Sequence, residues 1–241
     1  MTVFWKAIND QFCLKIEQDF DALHPRREND NLGTMICWHR RYHLGDEHRF
    51  AEPREFMESL ADGFEIKRIE ERSDKDLFEQ VARHAIILPI YAYEHGAITI
   101  RTAPFSCPWD SGQVGWIYIS KKKAREEFGK LTQSRVSYIE NLLKAEVQEY
   151  DDYLQGNVFG FTLYSVEAEL REYLSEAGTD VYDLSFDEWS PFLKKMDSCW
   201  GFIGNNHHTN GISECLPEEA RSLLSDLREG CIIEDRKLQY A

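Results

Sequence analysis

The stretch Ile86-Ile87-Leu88-Pro89-Ile90-Tyr91-Ala92-Tyr93 decides the fold, because it is apolar and rich in residues that favour β-strands. The turn Glu94-His95-Gly96 follows it, and residues 97–102 return as a second β-rich run. Two such runs around a short turn that contains glycine predict a β-hairpin. Pro89 lacks a backbone N–H donor and therefore favours an edge or a bulge within this hairpin.

Further strands and helices on both sides of the hairpin predict an α+β fold. Strands are expected at 11–18, 32–39, 113–120, 158–164 and 198–203, and helices at 53–62, 74–85, 121–128, 133–154, 166–177 and 217–228. We predict a single domain, 1–241, with a mainly antiparallel sheet of about five or six strands and packed helices. The sheet should contain 86–93, 97–103, 113–120, 158–164 and 198–203, with the helix 133–154 on one face.

The composition restricts the class of protein. Hydrophobic residues make up 42% of the chain, which argues against wholesale disorder. The net charge of −15, from 43 acidic and 28 basic side chains, disfavours direct binding of nucleic acid. The sequence has no apolar run long enough for a membrane span, no signal-like N-terminus and no C-x-x-C pair among its six cysteines. We expect a cytoplasmic protein with free thiols, no membrane partner and no cofactor.

Residues 165–190 carry eight acidic side chains and one basic side chain. We predict that this segment is an acidic insertion between two strands, and that it contacts a partner protein. The predicted contact residues are Glu169, Glu172, Tyr173, Glu176, Asp180, Tyr182, Asp183, Phe186, Asp187, Glu188 and Trp189. Carboxylates spaced along a helix resemble the charge of a duplex, and the aromatic rings supply buried area. The alternative is an ordinary solvated acidic surface.

The loop around Cys107-Pro108-Trp109-Asp110 has the chemistry of a reactive site. If the protein is an enzyme, Cys107 is the nucleophile, His39 is its base, Asp110 lies close by, and the reaction is acyl or thiol transfer. The structural alternative is a small buried thiol beside a packed tryptophan, with Asp110 capping a turn.

The densest group of ligand-type side chains follows the strand predicted at 32–39. His43, Asp46 and His48 are the candidates for binding a metal such as Zn or Mn. The alternative is that these polar residues line a loop near the end of a sheet. The sequence contains no P-loop, no G-x-G-x-x-G and no H-E-x-x-H motif, so no cofactor is predicted.

Four long blocks of the sequence, 30–42, 105–118, 150–161 and 197–204, carry a resemblance to known proteins. In these blocks the chain resembles a family of proteins of undefined activity that are encoded by bacteriophages and integrated mobile elements. The resemblance implies a genetic setting of host takeover or evasion of host defence. The acidic segment 165–190 is longer than the connection expected in this family.

Together these observations predict an acidic protein that binds and inhibits a host protein. A nucleic-acid-binding defence protein would fit this role, because the acidic segment would imitate DNA charge. Two alternatives remain: an enzyme based on cysteine and histidine that acts on a host molecule, and a metal-binding module. The sequence leaves the formation of homo-oligomers open.

Overall fold

A computed structural model describes residues 2–179, 181–183 and 185–232 of the chain. The strands in this part are β1 (Thr2–Ile8), β2 (Phe12–Gln18), β3 (Thr34–Cys37), β4 (Ala85–His95), β5 (Ala97–Arg101), β6 (Ser111–Ser120), β7 (Val158–Val166), β8 (Leu193–Ile203) and β9 (Arg228–Ile232). The α-helices are α1 (Pro25–Glu28), α2 (Pro53–Gly63), α3 (Asp74–His84), α4 (Lys121–Phe128), α5 (Gln133–Leu154), α6 (Glu169–Ala177), α7 (Phe186–Trp189) and α8 (Ile212–Cys215). Short 3₁₀ helices cover Val181–Asp183, Ser190–Phe192 and Glu218–Ser225.

The fold is α+β, as predicted, and it divides into two compact units. The central unit runs from His24 to Gln155, and the terminal unit combines the described residues up to Leu23 with those from Gly156 onward. Each unit contains one antiparallel sheet. The sheet of the central unit has the order β3-β6-β4-β5, and that of the terminal unit has the order β8-β7-β2-β1-β9.

The predicted hairpin is confirmed as β4 and β5 of the central unit. His95 pairs with Ala97 around Gly96, whose φ of 83° is a conformation that glycine adopts at little cost. Pro89 pairs with Trp116 of β6 and lies before the pairing of β4 with β5, which begins at Tyr91, and the register with β6 shifts between Ile90 and Tyr91. The edge-or-bulge prediction for Pro89 is therefore also confirmed.

Helices cover both faces of the central sheet. Alternate residues of β6 point to opposite sides, so that Ile117 is buried in the cluster with α5, whereas Trp116 packs with α2 and α3. The helix predicted at 133–154 is α5, and its residues Leu143 and Val147 are fully or almost fully buried. The apolar stripe of α5 thus faces the sheet, and the predicted placement of this helix on one face is confirmed.

Serine caps fix the starts of two predicted helices. The Ser73 hydroxyl accepts the backbone N–H of Asp76 at 3.2 Å, and the Ser120 hydroxyl accepts that of Lys123 at 3.1 Å. Each cap satisfies a donor that the first turn of a helix otherwise leaves open. The helices α3 and α4 therefore begin where the sequence predicts.

The terminal unit packs a helical segment, residues 212–225, against one face of its sheet. Leu14 and Ile16 of β2 are fully buried in this cluster, together with Leu223. The chain leaves this sheet after β2 and returns at β7, where the Asp19 N–H donates to the Val158 carbonyl at 2.7 Å. Strand pairing thus brings together residues that are far apart in the sequence.

The prediction of one sheet needs correction. The strands predicted at 86–93, 97–103 and 113–120 do share a sheet beneath α5, but those at 158–164 and 198–203 belong to the sheet of the terminal unit. Alternation identifies a strand and its faces, whereas tertiary contacts choose its neighbours. The helix predicted at 217–228 is also wrong, because the described chain forms a 3₁₀ helix up to Ser225 and then β9.

Candidate functional site

The residues predicted for catalysis or metal binding lie at one end of the central sheet. Cys37, the last residue of β3, pairs with Gly115, and Tyr93 near the end of β4 pairs with Ser111 at the start of β6. The loops beside these three strand ends therefore meet there. They carry His39, His43, Asp46, His48, Cys107 and Asp110, all six residues proposed for catalysis or metal binding.

A buried arginine holds the loop after β3 in place. The Arg26 side chain is 1% exposed, and it binds Asp46 through two hydrogen bonds of 2.9 and 3.0 Å. Its other N–H groups reach Glu146, Asn31 and the Gly33 carbonyl, at 2.7 to 2.9 Å. All five guanidinium donors are thus satisfied, which is the condition under which a buried charge is tolerated.

Two cavities open onto this end of the sheet. The larger, of about 790 Å³, is lined by Arg27, Arg40 and half of the chain's eight histidines: His24, His39, His43 and His48. The smaller, of about 270 Å³, is lined by His39, Arg40, Glu94, Trp109 and Asp110, among others. His39 and Arg40 line both cavities, so the two are neighbours, and together they are called the recess.

Backbone contacts define the state of His39. Its Nδ1 accepts the N–H groups of Arg41 and Tyr42, each at 3.3 Å, so the neutral ring carries its proton on Nε2. That nitrogen lies 3.6 Å from a Glu94 carboxylate oxygen, and Glu94 also pairs with Arg41. Burial, with the charges of Arg40 and Arg41, lowers the pKa of His39.

Cys107 has neighbours that differ from those of a cysteine nucleophile. Its sulfur lies 3.7 Å from an Asp110 oxygen, and that oxygen is 3.8 Å from Nδ1 of His95. The predicted proximity of Asp110 is therefore present, whereas the predicted base His39 faces Glu94. In a working pair the imidazole must reach the thiol to take its proton. The carboxylate occupies that position here.

Two of the three metal candidates, Asp46 and His48, have other partners. Both Asp46 oxygens bind Arg26, and one also accepts the Met35 N–H at 2.8 Å. His48 Nε2 is 2.9 Å from the Cys37 carbonyl, and His43 is exposed. Across residues 2–179, 181–183 and 185–232, no group of three or more His, Cys, Asp or Glu side chains is arranged to hold a metal ion.

The acidic segment 165–190 belongs to the terminal unit and connects β7 to β8, which pair with each other. Asp180 lies outside the described residues. The seven other acidic side chains are all exposed: Glu167, Glu169, Glu172, Glu176, Asp183, Asp187 and Glu188. Glu169, Glu172 and Glu176 share one face of α6, because they are three and four residues apart. The segment thus presents seven exposed carboxylates, three of them on one face of α6.

The aromatic residues of this segment mostly face inward. Trp189 is 0% exposed, and Lys6 Nζ lies 4.0 Å from the centre of its ring. Lys15 Nζ lies 4.5 Å from the Phe186 ring, and Arg228 stacks on Tyr182 at 3.8 Å. The prediction that Trp189 anchors a partner is therefore wrong, because it anchors the segment to its own sheet.

Tyr173 remains at the surface, 38% exposed, with its ring 5.2 Å from that of Phe192. It is the aromatic residue of the predicted set that is available to a partner beside the acidic face of α6. The lysines beneath Trp189 and Phe186 are buried, and burial lowers the pKa of Lys6. The stacked rings lie on the charged side chains, which is a favourable cation–π arrangement.

The sequence interpretation missed two features of the recess. Arg26 was not among the predicted site residues, although it organises the base of the site through Asp46 and Glu146. Trp109, expected to be packed, is instead 92% exposed. Its position in a loop rich in proline and serine was the available signal, since loops present functional side chains more often than they bury them.

Comparisons of this sequence with known proteins and structures identify no relative. In the described part of the chain, the helices are too short or too polar to cross a membrane. Neither a protein-family model, nor a curated protein, nor a solved structure matches this sequence.

Proposed function

We propose that this protein acts by binding another protein, and that the acidic surface of residues 165–190 is the contact. The observation that carries the proposal is how this segment is attached to the protein. It has seven exposed carboxylates, and aromatic rings stacked on cationic side chains hold it to its own sheet. A preorganised surface loses less entropy on binding than a mobile one.

The expected partner has a basic surface. Glu169, Glu172 and Glu176 stand about 4.5 to 6 Å apart along the axis of α6, which is wider than the roughly 3.4 Å per charge along one DNA strand but of the same order. A protein that binds nucleic acid through a basic groove would accept such a row. Together with the mobile-element setting that the resemblance suggests, this supports the inhibition of a host defence protein as the biological role.

The test compares two variants of equal charge change. Glu169, Glu172 and Glu176 are replaced by lysine in the first variant, and the exposed Glu79, Glu126 and Glu127 of the central unit in the second. A host protein captured by the unmodified chain is identified by mass spectrometry, purified and titrated directly. The first variant should lose binding and the control should keep it, and the association rate should fall with salt.

Equal binding by both variants would remove this surface from the proposal. Binding that does not depend on salt would also count against it, since the proposed attraction is between exposed charges.

A further inference from the structure

The recess of the central unit has the features of a site for a small ligand, separate from the acidic surface. Its larger cavity, of about 790 Å³, is within the size range of small-molecule sites. The adjoining cavity of about 270 Å³ has one wall formed by Trp109. His39 and Arg40 line both cavities, so a ligand that contacts Trp109 in the smaller cavity also has Arg40 beside it.

Trp109 is the most unusual residue of the recess, because a ring that is 92% exposed leaves a large apolar face in water. The loop that carries it is fixed on both sides. The Ser111 hydroxyl donates to the Cys107 carbonyl, and the Glu94 N–H donates to the Asp110 carbonyl at 2.9 Å. An exposed indole on a loop whose backbone is held in this way is suited to stack on a planar ligand, as aromatic residues do with nucleobases.

The polar walls beside Trp109 differ between the two cavities. Glu94 and Asp110 place carboxylate acceptors in the smaller cavity, and carboxylates accept hydrogen bonds from the amino groups of bases. Arg40 is exposed, and with Arg27 it gives the larger cavity its arginine side chains. Guanidinium groups are suited to phosphate, since their donors match its oxygens.

We propose that the recess binds a nucleoside phosphate. The base stacks on Trp109 with an amino group toward Asp110 or Glu94, and the phosphate lies toward Arg40. A free nucleotide fits better than a nucleic-acid strand, because a strand would continue past the recess over a protein with a net charge of −15.

The test is calorimetric titration of the full chain with AMP, GMP, CMP and UMP, and with guanosine and inorganic phosphate as partial ligands. At least one of the three nucleotides with an amino group should bind more tightly than UMP, guanosine and phosphate. Trp109→Ala and Arg40→Gln should each weaken that binding about tenfold. Trp200→Ala and Arg83→Gln change an exposed tryptophan and an exposed arginine outside the recess, and they should leave the affinity unchanged.

Several results would overturn the proposal. One is that no nucleotide binds, and another is that phosphate alone binds as tightly as any nucleotide. A third is that Trp109→Ala and Trp200→Ala have the same effect. If UMP equals the best ligand, the role of the carboxylates is wrong. None of these results depends on the acidic surface, so this proposal and the protein-binding proposal can fail separately.

Discussion

Arg26 and Asp46 form a two-point ion pair inside the central unit, with nitrogen–oxygen distances of 2.9 and 3.0 Å. The pair joins α1 to the loop that carries His39, His43 and His48. Because Glu146 of α5 binds the same guanidinium at 2.9 Å, one side chain connects the helix to that loop. The recess therefore has a rigid base.

Replacing Arg26 by methionine should destabilise the protein by about 3 kcal/mol, because two carboxylates would be left without their buried partner. Urea unfolding measures the loss. Arg27→Met is the matched control, since Arg27 is 59% exposed and its pair with Glu47 should contribute well under about 1 kcal/mol. Similar midpoints for the two variants would contradict the role given to Arg26.

Trp189→Ala should loosen the acidic segment and destabilise the protein by about 3 kcal/mol, since it removes a fully buried ring. Cleavage by a protease specific for glutamate should then become faster within residues 167–188. Trp200→Ala, which removes a ring that is 48% exposed, is the control. Unchanged cleavage in the Trp189 variant would show that the ring does not hold the segment.

Gly115→Ala should cost about 2 kcal/mol, because a methyl group there would overlap the Ile36 carbonyl of the neighbouring strand. Gly112 lies on the same strand with nothing within 4 Å of an added methyl group, so Gly112→Ala should be nearly neutral. Thermal unfolding of both variants checks this difference. Equal melting temperatures would mean that β3 and β6 approach less closely than described.

His39 should titrate below its usual pKa of 6.5 in NMR spectra recorded against pH. Arg40→Gln should raise that pKa, because it removes a nearby positive charge, whereas Arg83→Gln should not. The folded state disfavours the charged ring, so His39 favours folding when it is neutral. This favourable contribution to the free energy of unfolding is fully present above pH 6.5. It is lost as the pH falls from 6.5 to the lowered pKa. A midpoint at or above 6.5 would be inconsistent with this environment.

Cys13 and Cys37 should react slowly with iodoacetamide at pH 8. Both are buried, and burial raises the pKa of each thiol to about 12, which leaves about one thiolate in ten thousand. Cys107 is more accessible than these two thiols and should be modified before them, as followed by peptide mass spectrometry. Modification of all three at one rate in the folded protein would contradict their burial.

The sequence predicted local structure well because the signals are local. Ser73, Ser120 and the apolar stripe of α5 act within a few residues of their helices. The neighbours of a strand depend on distant residues, however. β2 pairs with β7, which lies far along the chain, and no pattern within either strand indicates that partner.

The candidate sites also show that local features can be predicted from the sequence, whereas contacts between distant residues cannot. The sequence placed His43, Asp46 and His48 in a loop near the end of a sheet as one alternative, and these residues do lie near such an end. The contacts of His39 and Cys107 depend on ångström-scale placement that spacing does not specify. Trp189 was misread because an aromatic residue in an acidic segment has the same pattern whether it faces a partner or a buried lysine.

The chain connection between β2 and β7 has a consequence for biosynthesis. Ribosomes add about 5 to 20 residues per second, so about 140 residues separating Gln18 from Val158 take roughly 7 to 28 s to make. During this time β1 and β2 have emerged without β7 or β9, and they form at most a two-stranded ribbon with apolar side chains in water. The soluble yield of this protein should therefore depend on translation speed and on chaperones that shield the nascent chain.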